Sequence, residues 1–158
     1  MTPLPIREVL FLCTGNYYRS RFAEVLFNHL MDQRGQAWRA FSRALAIERG
    51  HENVGPISQH TRRELTGLNI ALPEPVALPC GVCDADFSRA VRVIALKEAE
   101  HRPLMARCWP GWCDRIEYWH VHDLDAATPE QALGEIDLLV RKLVEELIRQ
   151  AAAARSDA

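Results

Sequence analysis

The 158-residue sequence lacks the features that are typical of secreted, membrane-spanning and nucleic-acid-binding proteins. Its first residues contain neither a basic segment nor an apolar run, so we expect no signal peptide. No stretch approaches the roughly 18 consecutive apolar residues that a membrane span requires. A formal net charge of −2 gives no reason to expect binding to nucleic acid or to a membrane. We therefore expect a cytoplasmic protein with neither kind of partner, whose oligomeric state the sequence leaves open.

The number of cysteines is odd: the five are Cys13, Cys80, Cys83, Cys108 and Cys113. Without a secretion signal, an odd set predicts free thiols, among them a candidate reactive one, rather than a disulfide framework. The last four leave a zinc site, or a redox pair at Cys80 and Cys83, as alternatives. We expect no metal, because two irregularly spaced pairs are less specific than the pattern of a zinc ribbon.

Apolar segments with strand and helix patterns alternate along the chain. Strands are predicted at 9–12, 38–42, 91–96 and 116–119, and helices at 20–34, 58–66, 97–107 and from Pro129 onward. This alternation predicts an α/β protein of one domain, residues 1–150, with a four-stranded parallel sheet flanked by helices and a frayed tail at 151–158. Ligands of such sheets bind beyond the carboxyl ends of the strands, which is where Cys13 falls.

The segment from Cys13 to Ser20 reads CTGNYYRS and follows the first predicted strand. Gly15 and Asn16 tolerate a positive φ angle, which lets successive backbone N–H groups point inward as an anion-binding nest. The next helix adds unpaired N–H groups and the positive end of its dipole. A phosphate dianion is the expected ligand of this loop. The expected substrate-binding residues are Thr14, Gly15, Asn16, Tyr17, Tyr18 and Ser20.

Cys13 and Arg19 are the residues expected to carry the chemistry. The positive field of the loop favours the thiolate form of Cys13, which can attack phosphorus and form a thiophosphate ester. The planar guanidinium of Arg19 can hold two equatorial oxygens, and the Ser20 hydroxyl can donate a hydrogen bond to the thiolate. The alternative is a buried cysteine at a strand end beside an ordinary helical arginine. The glycine, asparagine and serine in the same segment favour the catalytic interpretation.

The pattern VLFLC-x-GN-x-x-RS at 9–20, followed by Ala23 and Glu24, resembles the low-molecular-weight protein tyrosine phosphatase family. The resemblance implies a four-stranded parallel sheet, no cofactor, and two-step hydrolysis of a phosphorylated protein or a small phosphomonoester. It also implies that Ser42, near the end of the second strand, supports Asn16 through a hydrogen bond.

The resemblance assigns the role of general acid to Asp123, four residues after Trp119. One carboxylic acid can protonate the leaving group and later accept a proton from water. Asp125 and His122 are rival groups. Family members usually have proline after this aspartate, whereas Leu124 follows it here.

Other departures from the family pattern leave the substrate open. Tyr18 stands where many members have a second cysteine, and segment 42–45 differs from the family's usual sequence. We expect Tyr17 to form a pocket wall that stacks on an aromatic substrate, and Tyr18 to pack beside the loop. Three alternatives are phosphoarginine as substrate, a phosphopeptide-binding module with little turnover, and an arsenate reductase. The last requires resolving cysteines near the loop after the third strand, and Lys97 and its neighbours include none.

The absence of a second loop cysteine generates a prediction about oxidation. Peroxide should drive Cys13 past sulfenic acid to irreversible forms, because no loop thiol can trap it as a disulfide. We expect dithiothreitol to restore only a minor part of the hydrolysis of p-nitrophenyl phosphate after moderate peroxide treatment. In the Tyr18→Cys variant, which has an added thiol in the loop, dithiothreitol should restore a larger part of this hydrolysis. Full recovery in the unaltered protein would contradict this prediction.

Overall fold

Four strands form one parallel sheet in the computed structural model, which describes residues 5–121 and 128–157. The strands are β1 (Arg7–Cys13), β2 (Trp38–Ala44), β3 (Arg92–Ala95) and β4 (Glu117–Tyr118), in the order β2-β1-β3-β4. β1 lies inside the sheet and is buried over residues 9–13, which explains its continuous apolar sequence. The predicted α/β fold with a four-stranded parallel sheet is confirmed.

Helices cover both faces of this sheet. Those in the described residues are α1 (Arg19–Gln33), α2 (Gln59–Gly67), α3 (Asp84–Arg89), α4 (Glu98–Cys108) and α5 (Pro129–Ser156), and a 3₁₀ helix spans Ile47–Gly50. Val9 and Phe11 of β1 pack with α1 and α5, whereas Leu10 and Leu12 pack with α3 and α4. Burial of such a side chain contributes about 1.5–3 kcal/mol. The two layers together fix the carboxyl end of β1, where the Cys13 loop begins.

Capping residues determine where the helices beside the loop begin. Ser58 accepts a hydrogen bond from the backbone N–H of His60 at 3.2 Å and caps α2. Thr128 and Gln131 bond each other reciprocally at the start of α5, and Pro129 occupies its first turn. Both helices thus start at fixed points near the edge of the sheet.

One part of the helical structure differs from the sequence-based expectation. α3 is too short, at six residues, for a helical periodicity to be visible, and its start depends on the Asp86 carboxylate accepting from Cys83 N at 3.0 Å. α5 continues past residue 150 to Ser156, through an alanine run of high helix propensity. Fraying of 151–158 stays a prediction.

α5 is 28 residues long but carries charged side chains along its length. Within residues 5–121 and 128–157, no helix combines the length and the apolar character that crossing a membrane requires.

Candidate active site

The loop between β1 and α1 turns its carbonyl groups outward. The carbonyl of Cys13 accepts a hydrogen bond from Leu45 N, and that of Tyr17 accepts one from Ser58 N, each at 2.9 Å. The backbone N–H groups of residues 14–18 make no hydrogen bond to any other residue that the structure describes. They are available to an anion on the inner side of the loop, as an anion-binding nest requires.

Asn16 is the residue that bends the loop. Its φ angle is +51°, in the left-handed region that asparagine tolerates better than most residues. Gly15 does not adopt a positive φ angle, so only one of the two residues expected to supply this conformation does so. A Cβ atom on Gly15 would lie 3.7 Å from Asn53 Nδ2, which is an ordinary contact.

The side chain of Asn16 holds the loop against two distant segments. Its Nδ2 donates to Ser20 Oγ at 2.9 Å and to Ser42 Oγ at 2.8 Å, and its Oδ1 accepts from Cys80 N at 3.0 Å. Ser42 in turn donates to Glu24 at 3.2 Å, and burial raises the pKa of Glu24. The predicted bond between Asn16 and Ser42 is present. The contact with Cys80 is not predictable from spacing, since 64 residues separate the two.

The sulfur of Cys13 lies next to the hydroxyl of Ser20. Their Sγ and Oγ atoms are 2.9 Å apart, and Cys13 is 3 % exposed. Because Ser20 Oγ already accepts from Asn16 Nδ2, its own proton is free to be donated to the sulfur. A thiolate at Cys13 would therefore be met by a donor that the loop holds in position.

Arg19 shares a cavity with Cys13 and is only 8 % exposed. Its Nη2 donates to Glu100 Oε1 at 3.0 Å, and the Thr14 hydroxyl donates to the same oxygen. Glu100 lies in the first turn of α4, after β3, and was not among the residues expected at the site. The sequence contains one signal that could have indicated Glu100. A side chain just past the carboxyl end of β3 must lie near the end of β1, because the two strands are neighbours in the sheet.

Arg21 is a second contributor that the motif alone does not reveal. Its guanidinium donates to the carbonyls of Pro56 at 3.0 Å and Ala77 at 2.6 Å, and it reaches that of Asn16 at 3.4 Å. These contacts tie the loop to two irregular segments of the chain. Arg21 therefore supports the position of the loop rather than facing its cavity.

The cavity in front of the loop has a volume of about 200 Å³. It is lined by Cys13, Thr14, Gly15, Tyr17, Tyr18, Arg19, Arg49, Gly50 and Asn53. A larger cavity of about 310 Å³ beside Phe87 and Trp112 contains neither Cys13 nor Arg19, so we assign the candidate site to the smaller one. Arg49 is exposed and adds a positive charge at the mouth of this cavity.

Tyr17 and Tyr18 occupy different places at the loop. The Tyr17 hydroxyl donates to the Val54 carbonyl at 2.6 Å, which fixes the ring at the mouth of the cavity. The Tyr18 hydroxyl donates to the Pro129 carbonyl at 3.1 Å, its ring lies edge-on to His60, and burial raises its pKa to about 12. Tyr18 is thus held against the start of α5 and His60 while it also lines the cavity. Stacking of a substrate on Tyr17 stays a prediction.

Asp123, the expected general acid, lies outside the described residues, and so do its rivals His122 and Asp125. The structure describes the chain up to Val121 and again from Thr128. The assignment of the acid therefore stays a prediction from the sequence.

The other four cysteines are free: Cys80, Cys83 and Cys108 are exposed, and Cys113 is buried. In the described part of the chain, no three histidine, cysteine or acidic side chains are grouped so that they could hold a metal ion. The four cysteines that a zinc site would require are therefore not grouped together among the described residues.

Backbone hydrogen bonds connect Ala44 at the end of β2 to Cys80 and Val82 at 2.8 and 2.9 Å, which keeps this segment against the loop.

The network around Asn16 generates a prediction about stability. Asn16→Gly should lower the free energy of unfolding by about 2–3 kcal/mol, because three buried hydrogen bonds are lost. Asn16→Ala should cost about 1 kcal/mol more, since a methyl side chain disfavours positive φ. Urea denaturation would measure both losses.

Asn69 provides the matched control, because it has a φ angle of +59° but is exposed. Asn69→Gly should leave stability nearly unchanged, and Asn69→Ala should cost about 1 kcal/mol. If Asn16→Gly proved as harmless as Asn69→Gly, the side-chain bonds of Asn16 would not be holding the loop.

Comparisons with known proteins identify the fold. No protein-family model and no curated protein matches the chain, but solved structures do. A low-molecular-weight protein tyrosine phosphatase from T. tengcongensis is 23% identical over 91% of this chain and 99% of its own, with a TM-score of 0.68. YwlE arginine phosphatase from Geobacillus stearothermophilus is 18% identical over 93% and 96%, with a TM-score of 0.71.

A third structure is a YwlE arginine phosphatase mutant with a phosphorylated active-site serine. It is 21% identical over 89% of this chain and 95% of its own, with a TM-score of 0.67. The three similarities extend over nearly the whole of each chain. The protein therefore has the fold of the low-molecular-weight protein tyrosine phosphatases, as the resemblance in the loop implies.

Proposed function

We propose that the protein is a phosphomonoester hydrolase that acts through a cysteinyl-phosphate intermediate at Cys13. One observation carries the proposal: the Cys13 sulfur, the Ser20 hydroxyl and the Arg19 guanidinium meet at a loop whose backbone N–H groups are available to an anion. A phosphate monoester fits this set, because it offers three equatorial oxygens to cationic and N–H donors. The fold shared with known phosphatases supports the same conclusion.

In the first step the Cys13 thiolate attacks phosphorus on the side opposite the leaving group. The S–P bond forms, the bond from phosphorus to the ester oxygen breaks, and its electron pair stays on that oxygen. The leaving oxygen takes a proton from the carboxylic acid of Asp123. The Arg19 guanidinium and the loop N–H groups stabilise the charge on the equatorial oxygens throughout the transfer.

In the second step water attacks the phosphorus of the thiophosphate ester. The Asp123 carboxylate accepts a proton from this water, the S–P bond breaks, and inorganic phosphate leaves. The electron pair returns to sulfur, where the Ser20 hydroxyl donates its hydrogen bond to the thiolate. The YwlE mutant with a phosphorylated serine supports this intermediate, because in that related fold an active-site residue carries the phosphoryl group.

We propose phosphotyrosine in proteins as the substrate class. The ring of Tyr17 is fixed at the mouth of the cavity, where it can stack on an aromatic leaving group. The structural relatives include both tyrosine and arginine phosphatases, so the shared fold does not choose between the two substrates.

A cytoplasmic location is supported by the free thiols, three of them exposed, which suit a reducing compartment.

The first test replaces the nucleophile. Cys13→Ser should lower vanadate-sensitive hydrolysis of p-nitrophenyl phosphate by more than about 10³-fold, because a serine hydroxyl at neutral pH is a far weaker nucleophile than a thiolate. Cys108→Ser, which alters an exposed cysteine that is not part of the cavity, should retain the full rate. Phosphate binding without turnover in the unaltered protein would instead support a phosphopeptide-binding module.

The second test concerns the general acid. Asp123→Ala should lower kcat by about 10²- to 10⁴-fold, the usual contribution of a positioned acid. The loss should be larger with phenyl phosphate than with p-nitrophenyl phosphate, because the more basic phenoxide needs the proton more. Asp125→Ala is the matched control and should change kcat little. If Asp125→Ala showed the leaving-group dependence instead, the role would move to Asp125.

A further inference from the structure

The carboxylate of Glu100 occupies donors that the proposed reaction requires for phosphate. Its Oε1 accepts from Arg19 Nη2 at 3.0 Å and from the hydroxyl of Thr14. Carboxylates and phosphates bind arginine through the same planar N–H fork. A bound phosphate dianion and an ionised Glu100 would therefore repel each other at one guanidinium.

Glu100 is ionised in this position. Burial raises its pKa, but the hydrogen bond from Thr14 and the charge of Arg19 outweigh that effect, so the pKa lies at about 2. The side chain is 32% exposed and stands in the first turn of α4. It can therefore change rotamer without disturbing the backbone of the helix.

His101, the next residue of α4, lies close to this carboxylate and is a second donor for it. His101 is completely buried, and its Nδ1 accepts from Lys97 N at 3.0 Å, so the proton of the neutral ring is on Nε2. Burial and the charge of Arg19 lower the pKa of His101 to about 4, which keeps the ring neutral.

His101 Nε2 is a buried donor without a hydrogen-bond partner among the described residues. It lies 3.8 Å from Glu100 Oε1, and Lys97 Nζ lies 3.9 Å from Glu100 Oε2. A shift of the carboxylate by about 1 Å would bring it within hydrogen-bond distance of His101. A buried N–H without a partner is costly, so such a shift would satisfy this donor with the oxygen that Arg19 and Thr14 now share.

We propose that Glu100 is an internal competitor for the phosphate site: its carboxylate occupies Arg19 and Thr14 in the free protein and moves toward His101 when a phosphate dianion binds. Glu100 thereby sets the affinity of the loop for its ligand. This inference rests on the proposed function, because it requires that the loop bind phosphate.

The test is calorimetric titration of inorganic phosphate into the full chain and its Glu100→Gln variant. Glutamine keeps the shape and the acceptor oxygen but removes the charge, so phosphate affinity should rise by roughly 10-fold, in the range of charged hydrogen bonds. In p-nitrophenyl phosphate hydrolysis, KM should fall while kcat changes by less than about 3-fold, since the competitor acts before the chemical step.

Glu98→Gln is the matched control, because Glu98 is in the same turn of α4 but pairs with Arg102 and His120. It removes the same charge and should leave phosphate affinity unchanged. Equal tightening in both variants would show a general charge effect and overturn the proposal. Weaker phosphate binding in Glu100→Gln would also overturn it, since it would show that Glu100 orients Arg19 for phosphate.

His101→Phe tests the second partner of the carboxylate. It should weaken phosphate binding in the unaltered background and have no effect in the Glu100→Gln background, where no charge needs a new partner. The same loss in both backgrounds would contradict the movement toward His101. If no variant binds phosphate and none hydrolyses p-nitrophenyl phosphate, the proposed function itself fails. If the unaltered protein does both and Glu100→Gln binds no tighter, only the competitor role is lost.

Discussion

The bonds of the Asn16 side chain are the constraint on which the geometry of the site depends. This one amide contacts α1 through Ser20, β2 through Ser42 and the segment after the prolines through Cys80. Its positive φ angle turns the chain, and its side chain then keeps the turn in place. Because Ser20 is held as an acceptor for Asn16, its remaining proton faces the Cys13 sulfur. The hydroxyl beside the candidate nucleophile is thus oriented by a residue that need not itself touch a substrate.

The parallel sheet determines which distant segments can reach this loop. β1 lies between β2 and β3, so the carboxyl ends of all three strands meet at one edge. Cys13 pairs in register with Ala44, and Ala44 in turn binds Cys80 and Val82 through its backbone. The start of α4 follows β3 at the same edge and brings Glu100 to Arg19. An edge assembled in this way is the usual ligand site of an α/β fold.

The Arg19 guanidinium is paired with an anionic side chain at this edge. Arg19 is nearly buried, and a buried guanidinium without an anion is unfavourable. Glu100 supplies that anion, so the loop can be stable without a ligand. Any ligand that needs Arg19 must compete with this pairing. The buried N–H of His101, which has no hydrogen-bond partner among the described residues, lies 3.8 Å from this carboxylate.

The local sequence determined the strands, most helices and the residues of the loop. Burial of β1 on both faces requires an apolar run, and a tight anion-binding loop requires asparagine and serine at set positions. It also placed Ser42 opposite Asn16 through a family resemblance. It did not determine the contacts of Asn16 with Cys80 or of Arg19 with Glu100. Nor did it determine that Asn16, rather than Gly15, would adopt the positive φ angle. Only the tertiary structure decided these. The two contacts require residues 64 or more positions apart to meet at one edge of the sheet. The choice of Asn16 for the positive φ angle depends on how the whole loop closes.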